Sequence, residues 1–233
     1  MVEPVHRALL SVDVEGSGSR DGTAWTLFRE ALFTELRRAV EAGGIDWDAC
    51  VREDTGDGMT LVAPESCPKR LLVHPLLRTL ADGLAHHNRY ASAATRIRVR
   101  VALHAGDVVV GEHGCTGRPR VLLARLLGAA PLREALASAP EPTAVAVLVS
   151  DSFHDDVITH GYLGIDPDGY APVPVREKET EVRAWLHVVD GSAAEPAPAS
   201  APRESTPSGG VVITGSSQVN VNGDLFGGNK FGR

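Results

Sequence analysis

Residues 52–62 read REDTGDGMTLV, and this stretch decides the fold. Met59 and Leu61 alternate with more polar or β-branched neighbours, which is the period of a β-strand. The Asp57-Gly58 pair just before them is a strong signal for a hairpin turn. The stretch therefore predicts two short strands that meet at a tight turn, with a carboxylate at its tip.

Asp57 has two interpretations. Aspartate tolerates the backbone conformations of turns, so Asp57 could serve the turn alone. A functional interpretation requires a second carboxylate from another strand, and Asp13 is the candidate. Residues 7–15 alternate as a strand, and Asp13 lies near its carboxyl end, where an open sheet tends to place its chemistry. A lone aspartate at such a place is more often a cap or turn residue, so this alternative stays open.

The composition limits the class of protein. The 233 residues are 43% hydrophobic and 23% charged, with a net charge of -7. This balance is ordinary for a soluble globular protein, and it does not favour nucleic acid or an anionic membrane as a partner. Three scattered cysteines argue for a reducing compartment. No apolar run approaches about 18 residues, and no signal peptide is apparent, so we expect a cytoplasmic protein.

The remaining periodicities predict alternating helices and strands. Helices are expected over residues 21–40, 71–90 and 118–137 and a short one over 151–160; strands are expected over 95–103, 108–110, 144–150, 170–175 and 182–189. Asp21 is a candidate N-cap, Gly106 and Asp107 predict a turn, and Pro131 predicts a kink or split in its helix.

The strand over 95–103 carries Arg96, Arg98 and Arg100 on the face opposite its apolar residues. The simplest interpretation is that these arginines are solvated or paired with carboxylates. An anion site or a subunit contact is the alternative.

Composition divides the chain into three parts. Residues 1–190 predict the folded domain. Residues 191–209 are rich in Ala, Pro, Ser and Glu and predict a linker. Residues 210–233 carry β-prone and Asn/Gln-bearing segments and predict a short interaction motif. This motif resembles the amyloid-type signalling motifs at the ends of bacterial immune-like proteins, which would recruit an effector protein. Addition of a strand to a sheet edge is the alternative.

Four segments, in this order, resemble the class III nucleotidyl cyclases: residues 12–16 (VDVEG), 55–59 (TGDGM), 101–111 (VALHAGDVVVG) and 123–126 (LARL). The resemblance covers residues 8 to 189. It implies an α+β fold, the ferredoxin-like palm domain, with a central, mostly antiparallel sheet and helices packed on one face.

The resemblance also implies a site. Asp13, Asp57 and the backbone carbonyl of Val14 would bind two Mg²⁺ (or Mn²⁺) ions, which neutralise a nucleoside triphosphate and activate its ribose 3′-hydroxyl. Arg125 would stabilise charge at the α-phosphorus, and Lys178 would hold the triphosphate, unless it is simply a solvated strand end. Sites in this family are shared between two subunits, so a homodimer is implied.

Glu53 stands at the family's base-reading position, where guanylyl-type members have Glu. A carboxylate can accept hydrogen bonds from the guanine N1–H and amino group, so GTP is favoured over ATP, although an exposed strand residue is the competing interpretation. The second base-reading position falls in residues 114–117 and offers only Cys115 or Thr116.

The chain departs from the family at two further positions. Val121 replaces the Asn that precedes the catalytic Arg by one helical turn, and Ser17 replaces a Phe. Two functions follow: a cyclase that makes a cyclic nucleotide, or a nucleotide-binding module that recruits an effector through residues 210–233. The three residues Asp13, Asp57 and Arg125 favour the cyclase, whereas Val121 and the C-terminal motif favour the binding module.

Overall fold

A computed structural model describes residues 3–111 and 114–190. The predicted linker, 191–209, and the predicted interaction motif, 210–233, lie outside the described residues. In the described part, no helix is long and apolar enough to cross a bilayer.

One sheet organises the described residues. Its strands are β1 (Val5–Val14), β2 (Val51–Asp54), β3 (Gly58–Val62), β4 (Val99–Gly111), β5 (Gly114–Thr116), β6 (Val145–Ser150), β7 (Ala171–Glu177) and β8 (Thr180–Val189). They lie in the order β2-β3-β1-β4-β6-β8-β7, and β5 pairs with β4. Among these pairs only β4 and β6 run parallel, so the predicted α+β class with a mostly antiparallel sheet is confirmed.

The helices are α1 (Gly22–Ala42), α2 (Leu76–Tyr90), α3 (Arg118–Leu127), α4 (Ala130–Ser138) and the short α5 (Asp151–Phe153). Asp21 caps α1 as predicted, because its Oδ1 accepts the Ala24 N–H at 2.8 Å. Pro131 lies in the first turn of α4, so the predicted split between two helices is confirmed.

The expectation that helices cover one face of the sheet is wrong, because both faces are covered. Val12, Val101 and Val147 belong to a core shared with α1 and α2. Leu9, Ala102 and Leu148 belong to a second core shared with α3 and α4. The physical reason is that the central strands are apolar on both faces; all six residues of β6 are buried. Such strands need a layer of helices on each side.

The hairpin confirms the strand prediction and changes the role of one glycine. The left-handed residue of the turn is Gly56, with φ at +93°. Gly58 is instead the first residue of β3, opposite Asp13 of β1. A Cβ atom on Gly58 would lie 1.9 Å from the carbonyl oxygen of Val12. Gly58 is therefore required by a close backbone approach rather than by its own φ angle.

The predicted turn at Gly106 and Asp107 is wrong. Strand β4 continues to Gly111 and pairs with β1 as far as Val108. Asp107 Oδ1 is held across the pair by His6 Nδ1 at 2.9 Å. Gly106 is needed because a Cβ there would lie 2.6 Å from Cγ of Pro119. It marks the close approach of α3 to the sheet and not a reversal of the chain.

Gly58→Ala is expected to destabilise the fold strongly, because the added methyl group must displace the β1 backbone. Overpacking of this kind costs on the order of 2 kcal/mol or more. Gly22→Ala is the matched control, since a Cβ at Gly22 meets nothing within 4 Å. Chemical denaturation of both variants measures the free energy of unfolding. Equal values for the two variants would contradict the proposed close approach.

Candidate active site

Two carboxylates meet at one end of the β1–β3 pair. Asp13 lies opposite Gly58 in the register, and Asp57 immediately precedes that glycine. The pair is closed by a backbone hydrogen bond in which Val14 N–H donates to the Asp57 carbonyl at 3.2 Å. The Asp57 carboxylate is close enough to raise the pKa of Asp13. The structure thus brings together the two carboxylates that the sequence singles out.

Asp13 is held in a partly buried environment. The pKa of its carboxyl group is raised from 3.8 to about 6, mainly by burial; Arg100 opposes the rise, and Asp57 adds to it. Arg100 of β4 forms an ion pair with Asp13 Oδ2. The second oxygen, Asp13 Oδ1, is buried and has no hydrogen-bond partner in the described part of the chain. One acceptor of the pair is therefore left free for another ligand.

Asp57 is positioned from two sides. Ser17, which is 7% exposed, donates its hydroxyl to Asp57 Oδ2 at 2.6 Å. Arg29 of α1 is hydrogen-bonded to the hairpin turn. It donates to both Asp54 carboxylate oxygens, at 2.6 and 3.1 Å, and to the carbonyl of Gly56. The turn that carries Asp57 is thereby fixed to α1.

The Asp13–Asp57 pair offers the oxygen ligands that a hard divalent cation prefers, but it does not supply a complete set of ligands. Carboxylate oxygens are the ligands that Mg²⁺ and Mn²⁺ prefer, and Asp13 Oδ1 has no hydrogen-bond partner among the described residues. The pKa of Asp13 is raised mainly by burial, and repulsion from the adjacent Asp57 carboxylate adds to the rise. In the described residues no group of three or more His, Cys, Asp or Glu side chains could hold a metal. Further ligands would therefore have to come from the backbone, solvent or substrate.

A second group of predicted residues forms around Glu53. Its Oε1 accepts the backbone N–H of Cys115 at 2.6 Å, and its Oε2 accepts from Arg120 Nε at 3.0 Å. Gly114 lies against it, because a Cβ at Gly114 would be 2.3 Å from Glu53 Oε1. Burial, together with the neighbouring Glu53, raises the pKa of the Cys115 thiol to about 11. Glu53 is therefore a partly buried, ion-paired residue and not an exposed strand residue.

Arg125 and Lys178 lie at a third place, where α3 meets the β7–β8 turn. Arg125 Nη2 donates to Glu179 Oε1 at 2.8 Å, while its Nε is buried without a partner in the described residues. Lys178 is exposed in the turn with φ at +53°. Val121, one helical turn before Arg125, is 51% exposed. Within one described chain, neither Arg125 nor Lys178 has a hydrogen bond or ion pair to Asp13 or Asp57.

Three contacts of these groups were not predicted in detail. The sequence predicts that Arg96, Arg98 and Arg100 are solvated or paired with carboxylates, and Arg100 proves to be the counterion of Asp13. Ser17 was noted only as a departure, yet its hydroxyl holds Asp57. Arg120 was not singled out, because nothing in the sequence joins α3 to β2.

Comparison with solved structures identifies the fold. The guanylyl cyclase Cya2 superimposes with a TM-score of 0.60 at 14% identity over 81% of this chain and 95% of its own. An adenylate/guanylate cyclase/hydrolase from Silicibacter pomeroyi gives 0.58 at 21% identity, over 81% and 99%. The guanylate cyclase domain of RhGC from Catenaria anguillulae, in complex with GTP, gives 0.52 at 16% identity, over 81% and 99%.

The chain has the fold of a nucleotide cyclase domain. No protein-family model and no curated protein matches the sequence. The predicted palm fold is thus confirmed by structural similarity, and the identities of 14 to 21% show the fold alone.

The pKa of Asp13 provides a direct test of the carboxylate pair. Titration of the side-chain carboxyl carbons by NMR is expected to show Asp13 near pH 6. Asp57→Asn should lower this pKa, because it removes the neighbouring negative charge, whereas Asp48→Asn on an exposed loop should leave it unchanged. A pKa near 4 in both the wild type and Asp57→Asn would show that the carboxylates do not interact.

The raised pKa of Asp13 also determines how its contribution to stability changes with pH. The folded state holds the Asp13 proton more tightly than the unfolded chain does, since the pKa rises from 3.8 to about 6. The contribution of Asp13 to stability is therefore full below about pH 4 and is lost as the pH rises through 6.

Proposed function

We propose that this protein is a nucleotidyl cyclase that converts a nucleoside triphosphate, preferentially GTP, into a cyclic nucleotide and pyrophosphate. The observation that carries the proposal is the Asp13–Asp57 pair on a cyclase fold, in which one buried carboxylate oxygen has no hydrogen-bond partner in the described part of the chain. Arg100 pairs with one oxygen of Asp13, and a divalent cation would neutralise the remaining negative charge of the two carboxylates.

Asp13, Asp57 and the backbone carbonyl of Val14 would hold Mg²⁺ or Mn²⁺. When bound, such ions supply charge neutralisation for the triphosphate and lower the pKa of the ribose 3′-hydroxyl. The chain's own residues prepare this site: Arg100 keeps Asp13 oriented, and Ser17 keeps Asp57 oriented.

The remaining residues would act on the nucleotide. Arg125 presents a guanidinium group whose Nε has no hydrogen-bond partner within residues 3–111 and 114–190, and it would stabilise the charge that develops at the α-phosphorus. Lys178, exposed in its turn, would contact the triphosphate. Glu53 and Cys115 would lie beside the nucleobase, and the Glu53 carboxylate would accept hydrogen bonds from guanine.

The separate contacts of Arg125 and of the carboxylate pair support a homodimer. In one chain the carboxylate pair and the Arg125 region have separate contacts. A complete site would therefore combine the carboxylate pair of one copy with Glu53, Arg125 and Lys178 of a second copy.

A non-catalytic nucleotide-binding module is the second candidate, and Val121 favours it. A valine cannot hydrogen-bond to a ribose, and this one is half exposed on the face of α3 that also carries Arg125. In this alternative the protein binds a nucleotide and recruits an effector protein through residues 210–233, as part of a bacterial signalling or defence system.

Turnover separates the two candidates. Purified protein incubated with GTP or ATP and either Mn²⁺ or Mg²⁺ is expected to release cyclic nucleotide and pyrophosphate, with GTP preferred. Asp57→Asn should lower the rate by at least about 100-fold, because a metal-binding carboxylate is lost. Asp48→Asn should retain the wild-type rate. Metal-dependent nucleotide binding with no cyclic product would favour the binding module instead.

Val121→Asn tests whether the departure on α3 limits the reaction. An asparagine at this half-exposed position should leave the fold intact. It adds a donor and an acceptor one helical turn before Arg125, so we expect kcat to rise by about tenfold or more. Val121→Leu is the control, since it adds bulk without hydrogen-bonding groups. Equal kcat for both variants would show that ribose orientation at this position does not limit turnover.

A further inference from the structure

The Glu53–Arg120 contact joins two elements that are distant in the sequence. Glu53 lies in β2, and Arg120 lies in the first turn of α3. Both side chains are mostly buried, with 16% and 23% exposed. Gly114 stands against the carboxylate and leaves no room for a Cβ. The carboxylate is thus built into the structure with one defined orientation.

Arg120 uses only part of its hydrogen-bonding capacity in this contact. Its Nε donates to Glu53 Oε2, and its two terminal nitrogens have no hydrogen-bond partner in the described residues. Arginine presents five donors in a planar arrangement. Arg120 therefore offers free donors directly beside the acceptors of Glu53.

We propose that Arg120 is a base-reading residue which, together with Glu53, selects guanine. This inference rests on the proposed function, since it assigns a role at the same nucleotide site. Arg120 would supply a hydrogen-bond donor to the base, where residues 114–117 offer only Cys115 or Thr116.

The chemistry of the purine edge supports guanine. Guanine presents two adjacent donors, N1–H and the 2-amino group, followed by the acceptor O6. A carboxylate accepts from the two donors, and a neighbouring guanidinium donates to O6. Adenine has an acceptor at N1, which would face the Glu53 carboxylate. Neither N1 nor the carboxylate oxygen opposite it would then have a hydrogen-bond donor. The Glu53–Arg120 pair therefore disfavours adenine by repulsion as well as favouring guanine.

Arg120 also positions Glu53, and the two roles make different predictions. If Arg120 only holds the carboxylate in place, its loss weakens the base site without a dependence on guanine O6. If Arg120 donates to the base, its loss is felt where the base has an acceptor at position 6. A nucleotide that lacks this acceptor should then be insensitive to the substitution.

The experiment measures the binding of GTP, 6-thio-GTP and ATP to the full-length protein in the presence of Mn²⁺, by calorimetry. For the wild type we expect GTP to bind at least about tenfold more tightly than 6-thio-GTP or ATP, because sulfur is a poor acceptor and adenine lacks O6. Arg120→Met should reduce the GTP preference over 6-thio-GTP to about threefold or less, whereas part of the preference over ATP should remain, because Glu53 still faces position N1 of the base. Arg118→Met is the matched control, because Arg118 is an exposed arginine at the start of the same helix.

Three outcomes decide the proposal. A GTP preference over 6-thio-GTP that survives Arg120→Met overturns it and leaves the proposed function standing. A wild type that binds no nucleotide overturns both. Selective GTP binding that depends on Arg120, without cyclic product, supports base reading and contradicts only catalysis. If Arg120→Met does not fold, Arg120→Lys replaces it in the binding experiment, because lysine keeps the charge but offers a single point donor. The comparison of GTP with 6-thio-GTP on the wild type tests the proposal without any variant.

Discussion

The site depends on two carboxylates that are held beside each other against their mutual repulsion. The constraint is the pairing of β1 with β3, in which Gly58 approaches the carbonyl of Val12 so closely that no side chain fits. This approach places Asp57, the residue before Gly58, next to Asp13. Local conformation alone would not do so, because a hairpin turn can present its tip in many directions. The fold thus stores an unfavourable charge contact that a cation can relieve.

Neighbouring side chains limit the cost of this contact without removing it. Arg100 satisfies one oxygen of Asp13, and Ser17 satisfies one oxygen of Asp57. If both carboxylates were fully paired internally, a divalent cation would have to break those contacts in order to bind. If neither were paired, the two side chains could rotate away from each other. In the intermediate state, Asp13 Oδ1 has no hydrogen-bond partner among the residues that the structure describes, so the pair stays in place and can still accept a ligand.

The sequence predicts what depends on short-range pattern and misses what depends on packing between distant elements. The hairpin, the Asp21 cap and the split before α4 all follow from local residue types, and they were found. Gly106 was misread as a turn because a glycine required by the approach of α3 looks the same in sequence as a glycine in a turn. The contact between Glu53 and Arg120 joins residues 67 positions apart, so no periodicity could indicate it. Coverage of both sheet faces was signalled by the apolar run of β6, which a one-sided sheet does not need.

The separation of contacts within one chain bears on how the two candidate functions are related. Asp13 and Asp57 would hold the cation whether or not turnover occurs, and Glu53 with Cys115 would hold the base. The α3 surface that carries Val121 and Arg125 would orient the ribose and stabilise the charge at the α-phosphorus. A change on that surface can therefore reduce catalysis while metal and base binding persist, because its residues share no hydrogen bond or ion pair with the carboxylate pair in the described chain. A cyclase and a nucleotide-binding module can thus share one fold and one binding site, and the residue at position 121 is where the two would diverge.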